Sequence, residues 1–143
     1  MPLTVTAGQI DDAMRALKEI IESVRPRTIP QMGKYKLAKL RLALEVPYKA
    51  IDHQHADLIR KYGEELFFDK EKTHSKGWQV DQQGPHFQAY VDDWTAIRAQ
   101  VHELPIHKIP VQLLGDDPKG GGIEVAEYYQ LDPFIQGPLE VVE

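Results

Sequence analysis

The sequence predicts a mainly α fold with a minor β part: three amphipathic helices, the central one long and kinked at a proline, plus a small β-hairpin and extended C-terminal segments. Three observations carry this. Between Gly33 and Gly63 the apolar positions Leu37, Leu40, Leu44, Tyr48, Ile51, His55, Leu58 and Tyr62 recur by threes and fours, the stripe of one long helix. Pro47 lies inside that stretch without shifting the stripe, so one kinked helix is expected, with the lost backbone bond at Ala43 and the bend just before Pro47. Two further stretches, Ile10–Val24 and Phe87–Leu104, keep the same period.

In chain order, Leu3–Thr6 reads as a short strand or extended lead-in. Thr6 is then an N-cap, with Gln9 placed to complete a capping box. The first helix carries Ile10, Ala13, Met14, Leu17, Ile20, Ile21 and Val24 on one face and ends before Pro26. Arg25–Met32, with its two prolines, reads as a linker into the long helix, which Gly63 stops as a C′ residue. Leu66–Phe68 and Trp78–Val80 read as a hairpin around a polar loop. Pro85 opens the third helix as its first residue; Phe87, Tyr90, Val91, Trp94, Ile97, Val101 and Leu104 form its apolar face, Asp92 and Asp93 point outward, and Pro105 ends it. The segment Ile106–Leu114 reads as extended, Gly115–Gly122 as a flexible loop, Ile123–Gln130 as a short helix and Asp132-Pro133 as the start of a last one. The tail Leu139–Glu143 reads as extended or frayed.

At 143 residues the chain fits one domain, 1–143, large enough for a real core. It has no cysteine, which excludes disulfides, thiolate metal sites and a thiol nucleophile. The start of the chain lacks the basic and apolar regions of a signal peptide, and no apolar run approaches the ~18 residues of a membrane span. The expectation is a protein of the host cytoplasm or a virion, with no membrane attachment and not secreted by a signal peptide.

Charge is unevenly placed. Residues 1–62 hold eleven Lys/Arg against seven Asp/Glu, and residues 63–143 hold six against fifteen. Arg25, Arg27, Lys34, Lys36, Lys39 and Arg41 form a cluster with no acid among them. Cations in the first turns of a helix oppose its dipole by about 0.3–1 kcal/mol each at exposed sites, so the cluster suits a negative partner. That partner could be the chain's own acidic half, a neighbouring subunit, nucleic acid or a small anion. An acidic chain without interleaved aromatics is a poor nucleic-acid footprint.

Chemistry is hard to find. His53 and His55 lie two apart on a helix, about 200° around its axis, and cannot grip one metal ion with Asp57. His55 sits on the apolar stripe and reads as a core or interface histidine. His74, His86, His102 and His107 have no metal-binding spacing. Gly115–Gly122 lacks the Lys-Ser/Thr pair of a phosphate loop, and neither Ser23 nor Ser75 has an obvious base nearby. No catalytic residue, cofactor or metal is expected, and the chain reads as no enzyme.

One resemblance adds to this. The run GKYKLAKLRLALEVPYKAIDHQHADLIRKYGEE, with its Leu37-Ala38-Lys39 entry and its Leu58-Ile59-Arg60-Lys61-Tyr62-Gly63-Glu64 ending, resembles the central helix of a family of small uncharacterised proteins of tailed phages and prophages. The hairpin-like insert, the aromatic and acidic stretch Phe87–Leu104 and the run Leu131-Asp132-Pro133-Phe134-Ile135 fit the same pattern, while Pro47 and the loop Gly115–Gly122 depart from it. The resemblance implies a viral origin and transfers no catalytic residues.

A helix from Gly33 to Gly63 would run ~45 Å, against a diameter under about 40 Å for a compact globule of this length. Something beyond the monomer is therefore expected to cover its stripe. The expected function is protein–protein contact and self-association, as a virion, tail or assembly component or a host-protein-binding factor. The interface would use Leu37, Leu40, Leu44, Tyr48, Ile51, His55, Leu58 and Tyr62. The alternatives are a nucleic-acid-binding accessory protein, or a binder of a small anionic ligand, through the Arg25–Arg41 cluster.

Overall fold

A computed structural model describes residues 2–22, 29–114 and 125–136. Its described part is mainly α, with three small two-stranded pairings. Strand β1 (Leu3–Thr6) leads directly into helix α1 (Ala7–Ile21). The expected capping box is present: Gln9 N–H donates to the Thr6 hydroxyl (3.2 Å), and Thr6 N–H donates to the Gln9 side-chain oxygen (2.9 Å). Two orphan amides at the helix start are thereby satisfied. Ile10, Ala13, Ala16, Leu17 and Ile20 are buried, whereas Ile21 is 41% exposed and so leaves the face assigned to it. Val24 and the Pro26 stop lie outside the described residues.

Helix α2 (Gln31–Tyr62) is continuous through Pro47, and at 32 residues it spans ~48 Å. It starts at Gln31, so Met32 belongs to the helix and not to a linker. Gly33 is an interior position. A Cβ there would stand 1.6 Å from the Leu113 carbonyl oxygen, so the missing side chain is what lets a 3-10 turn at Val111–Leu114 lie against the helix. Gly63 ends α2, as expected, in an extended conformation, with φ −104°. Its N–H donates to Ile59 (2.7 Å), and a Cβ would come 2.6 Å from the Gln79 carbonyl oxygen. Close approach of the hairpin is what requires glycine here.

The hairpin pairs β2 (Glu64–Phe67) with β3 (Ser75–Gln79), with an irregularity at Leu66/Phe67. Phe68 and Val80, expected inside the strands, fall just beyond them. Asp69 closes the loop, accepting the backbone N–H groups of Thr73 (3.1 Å) and His74 (3.0 Å) and the Thr73 hydroxyl. The Thr73 hydroxyl bond, with the backbone bonds, holds the Asp69 carboxyl below its ordinary pKa.

Helix α3 is Phe87–Arg98, shorter at both ends than its apolar period suggested. Pro85 sits in the preceding turn. Val101–Leu104 forms strand β4, antiparallel to β1, with Val5 opposite His102; the Ala7 N–H extends the pairing to the Gln100 carbonyl (2.8 Å). The physical reason is that β1 carries unpaired backbone groups that only another strand can satisfy. Ile109–Pro110 (β5) pairs in parallel with Ile135–Gln136 (β6). Helix α4 (Val125–Leu131) and a 3-10 turn at Asp132–Phe134 complete the described chain, so Asp132-Pro133 opens a single turn and no last helix. The expected loop Gly115–Gly122 and the tail Leu139–Glu143 lie outside the described residues.

One buried cluster gathers Val5, Ile10, Leu17, Leu37, Leu44, Ile51, Leu104, Leu131 and Phe134. The α2 stripe is part of it, and this corrects the interface expectation. Leu37, Leu40, Leu44, Ile51 and Leu58 are each at most 9% exposed within the single chain. Three pieces set end to end supply the cover. Ile109–Leu114 lies at the N-terminal part of α2, α1 lies near Tyr48 and His55, and α3 reaches His55 and Tyr62. Leu37, Leu40, Leu44, Ile51 and Leu58 of the stripe are thus buried within the single chain, while Tyr48, His55 and Tyr62 are half-buried.

Candidate functional site

Between α2 and α3 runs a ladder of polar and aromatic contacts. The His55 ring stacks on Trp94 at 4.0 Å, and its Nε2 is 2.6 Å from the Tyr90 hydroxyl. About two turns further on, the Tyr62 hydroxyl donates to Asp93 (2.6 Å). Asp93 is therefore turned toward α2, not outward as its position beside Asp92 suggested. At the other end, Arg98 lies over Trp94 and donates to Asp11 (2.8 Å) and Asp12 (3.2 Å) of α1. Asp11 is 5% exposed and also meets Arg15 (3.2 Å), which gives a buried carboxylate the paired charges it needs. Burial pushes the His55 imidazole below its ordinary pKa and the Tyr90 hydroxyl above its own. The groups in this ladder hold α1, α2 and α3 together. His53 stands on the outer side, 3.5 Å from Asp57, away from His55.

The basic cluster divides. Arg25 and Arg27 lie outside the described residues. Successive helix residues turn by about 100°, so Lys34 and Arg41, seven apart, share one side of α2, while Lys36 and Lys39, three apart, share the opposite one. Lys36 and Lys39 stand at the mouth of a cavity of about 330 Å³ between α2 and the segment Pro105–Ile109. Leu40, Ala43, Ile106 and Ile109 line its interior, and His107 joins the two lysines.

A second apolar stripe lies on α2, about half a turn from the core face. Met32, Tyr35, Leu42 and Val46 are 54%, 58%, 69% and 78% exposed, and their spacing of three, seven and four keeps them on one face. Lys39 falls among them. The sequence carried this signal, but the stronger stripe beginning at Leu37 masked it. Neither the Asp11–Arg98 pair nor the Tyr62–Asp93 bond had a sequence signal, because each joins residues far apart in the chain.

Among the described residues, no group of three His, Cys, Asp or Glu side chains could hold a metal ion, and no helix is long and apolar enough to cross a membrane. Comparison of the chain with protein-family models, curated proteins and solved structures found no match.

Proposed function

We propose that this is a non-enzymatic protein of the tailed-phage or prophage type that works by protein–protein contact, first with a second copy of itself seated on the outward face of α2. The observation that supports this reading is the exposed stripe Met32, Tyr35, Leu42 and Val46, since grouped large apolar side chains left in water mark contact surfaces. An antiparallel arrangement about Lys39 would set Met32 against Val46 and Tyr35 against Leu42 of the other copy. Full burial contributes roughly 1.5–3 kcal/mol per large side chain, and the long Lys39 stem lets each ammonium group reach from the centre of the contact to water at its edge. A 15-residue helix face is short of the ~1,200 Å² of a stable standard interface, so the contact is reversible. The assembly then offers its remaining surface to another phage or host protein.

The basic cluster supports a nucleic-acid reading less well, because its described members occupy opposite sides of α2 and form no continuous stripe. Light scattering across about 1–100 µM tests the proposal, the range in which a modest helix–helix contact saturates. A mass rising from 16.3 kDa toward twice that value is expected, with Leu42→Asp/Val46→Asp held at the monomer mass and its circular dichroism unchanged. A wild-type monomer at every concentration, or a dimer that survives both substitutions, would overturn it.

A further inference from the structure

We infer that the cavity between α2 and Pro105–Ile109 is a binding site for a small amphipathic anion, a single carboxylate head on an aliphatic body. The inference is independent of self-association and rests on four observations. The cavity, at about 330 Å³, is at the lower end of the ~300–1,000 Å³ typical of small-molecule sites. Its interior surfaces come from Leu40, Ala43, Ile106 and Ile109, which suit an alkyl chain and, among the described residues, offer no aromatic face on which a nucleobase would stack. Its polar groups among the described residues, Lys36, Lys39 and His107, can all donate hydrogen bonds and include no carboxylate. Among the described residues, neither lysine has an ion-pair or hydrogen-bond partner within the chain.

The placement of the lysines is itself informative. Lys36 and Lys39 lie three residues apart on one side of α2, which has no acid in its first turn and no side-chain cap. A bound carboxylate would take charge-assisted bonds from both ammonium groups. The aliphatic body would replace water against the apolar interior. Charge fixes the head at the mouth and burial fixes the chain inside, so the site would distinguish a fatty-acid-like anion both from a neutral alcohol and from a compact inorganic anion.

Isothermal titration calorimetry tests this on the full chain carrying Leu42→Ser/Val46→Ser, which removes the apolar face without setting a carboxylate beside Lys39, so that failure of the self-association reading leaves the result interpretable. The probes are decanoate, decanol and inorganic phosphate. Decanoate is expected to saturate one site per chain with a Kd between about 10 µM and a few millimolar, as its size allows. Decanol should bind roughly tenfold or more weakly and phosphate should give no saturable heat, because neither supplies both head and body. Lys36→Gln/Lys39→Gln should weaken decanoate about tenfold while leaving decanol unchanged, the loss of charge-assisted bonds at a solvent-facing mouth. Ala43→Phe, which fills the cavity, should abolish both. Circular dichroism establishes that each variant is folded, and Lys36→Gln alone serves if the double variant is not. No saturable decanoate heat, decanol binding as tight as decanoate, phosphate binding as tight as decanoate, or full decanoate affinity in a folded lysine variant would each overturn the assignment.

Discussion

Two leucines on α2, separated by a single residue, should respond in opposite ways to the same truncation. Leu44 is fully buried, at 0% exposure, while Leu42 is 69% exposed. Leu44→Ala removes buried methyl groups from a site enclosed by core neighbours and leaves a void, and such changes cost about 2–5 kcal/mol. Leu42→Ala gives up only the shielded third of one side chain. It also places the best helix former at an exposed position, so its effect should lie within about 0.5 kcal/mol of zero. With a urea m-value of about 1–3 kcal/mol/M for a domain of this size, Leu44→Ala should lower the unfolding midpoint by roughly 1–3 M, and Leu42→Ala should barely move it. Urea titration followed by tryptophan fluorescence and circular dichroism decides this, at a concentration low enough to keep the chain monomeric. Equal midpoint losses for the two variants would refute the assignment of opposite fates to the two faces of α2.

Gly33→Ala should destabilise by more than the ~1 kcal/mol that alanine ordinarily gains over glycine inside a helix, because its Cβ would overlap the Leu113 carbonyl oxygen; a stabilised variant in thermal melts would mean that the turn at Val111–Leu114 does not rest on α2. Arg98→Met should cost about 1–3 kcal/mol by removing one of two cations from the buried Asp11, and an unchanged melting temperature would count against that pairing. His55 has a lowered pKa in the folded chain, with burial as the main cause, so the unfolded chain binds its proton first. Stability should therefore fall as pH drops through the ordinary histidine range near ~6.5 and level off below the folded pKa. His55→Phe should flatten that slope; a slope unchanged in the variant would place its origin elsewhere. Tyr62→Phe should cost about 0.5–1.5 kcal/mol through the lost bond to Asp93, read by urea titration against Tyr35→Phe, whose side chain is mostly exposed.

What was legible in the sequence was local. The Thr6–Gln9 capping box needs only four residues, and the register of α2 across Pro47 needs only that helix. The hairpin after Gly63 was legible for the same reason, within a residue or two. The C-terminal limit of α3 was not. Trp94, Ile97, Val101 and Leu104 fit a helical period as well as Val101–Leu104 fits a strand, and the choice falls to β1, almost a hundred residues earlier. The cover of α2 is hidden for the same reason: its length shows in its own period, but no local pattern shows that three separate segments line up along it. At the cavity the lysines were singled out from charge alone. His107 joins them only because Pro105–Ile109 folds back beside α2, and nothing in its spacing indicates that.

The pairing of β1 with β4 has a consequence for how the chain is made. Leu3–Thr6 leaves the ribosome well before its partner strand, which is completed only at Leu104. At synthesis rates of about 5–20 residues per second, the interval is roughly 5–20 s, far longer than the microseconds in which a helix such as α1 forms. The nascent segment therefore waits as a capped helix preceded by an open strand edge. Its brevity, four residues, limits what that edge can template in the meantime. Arrest of translation before Val101 should leave β1 accessible to protease, and extension past Leu104 should protect it.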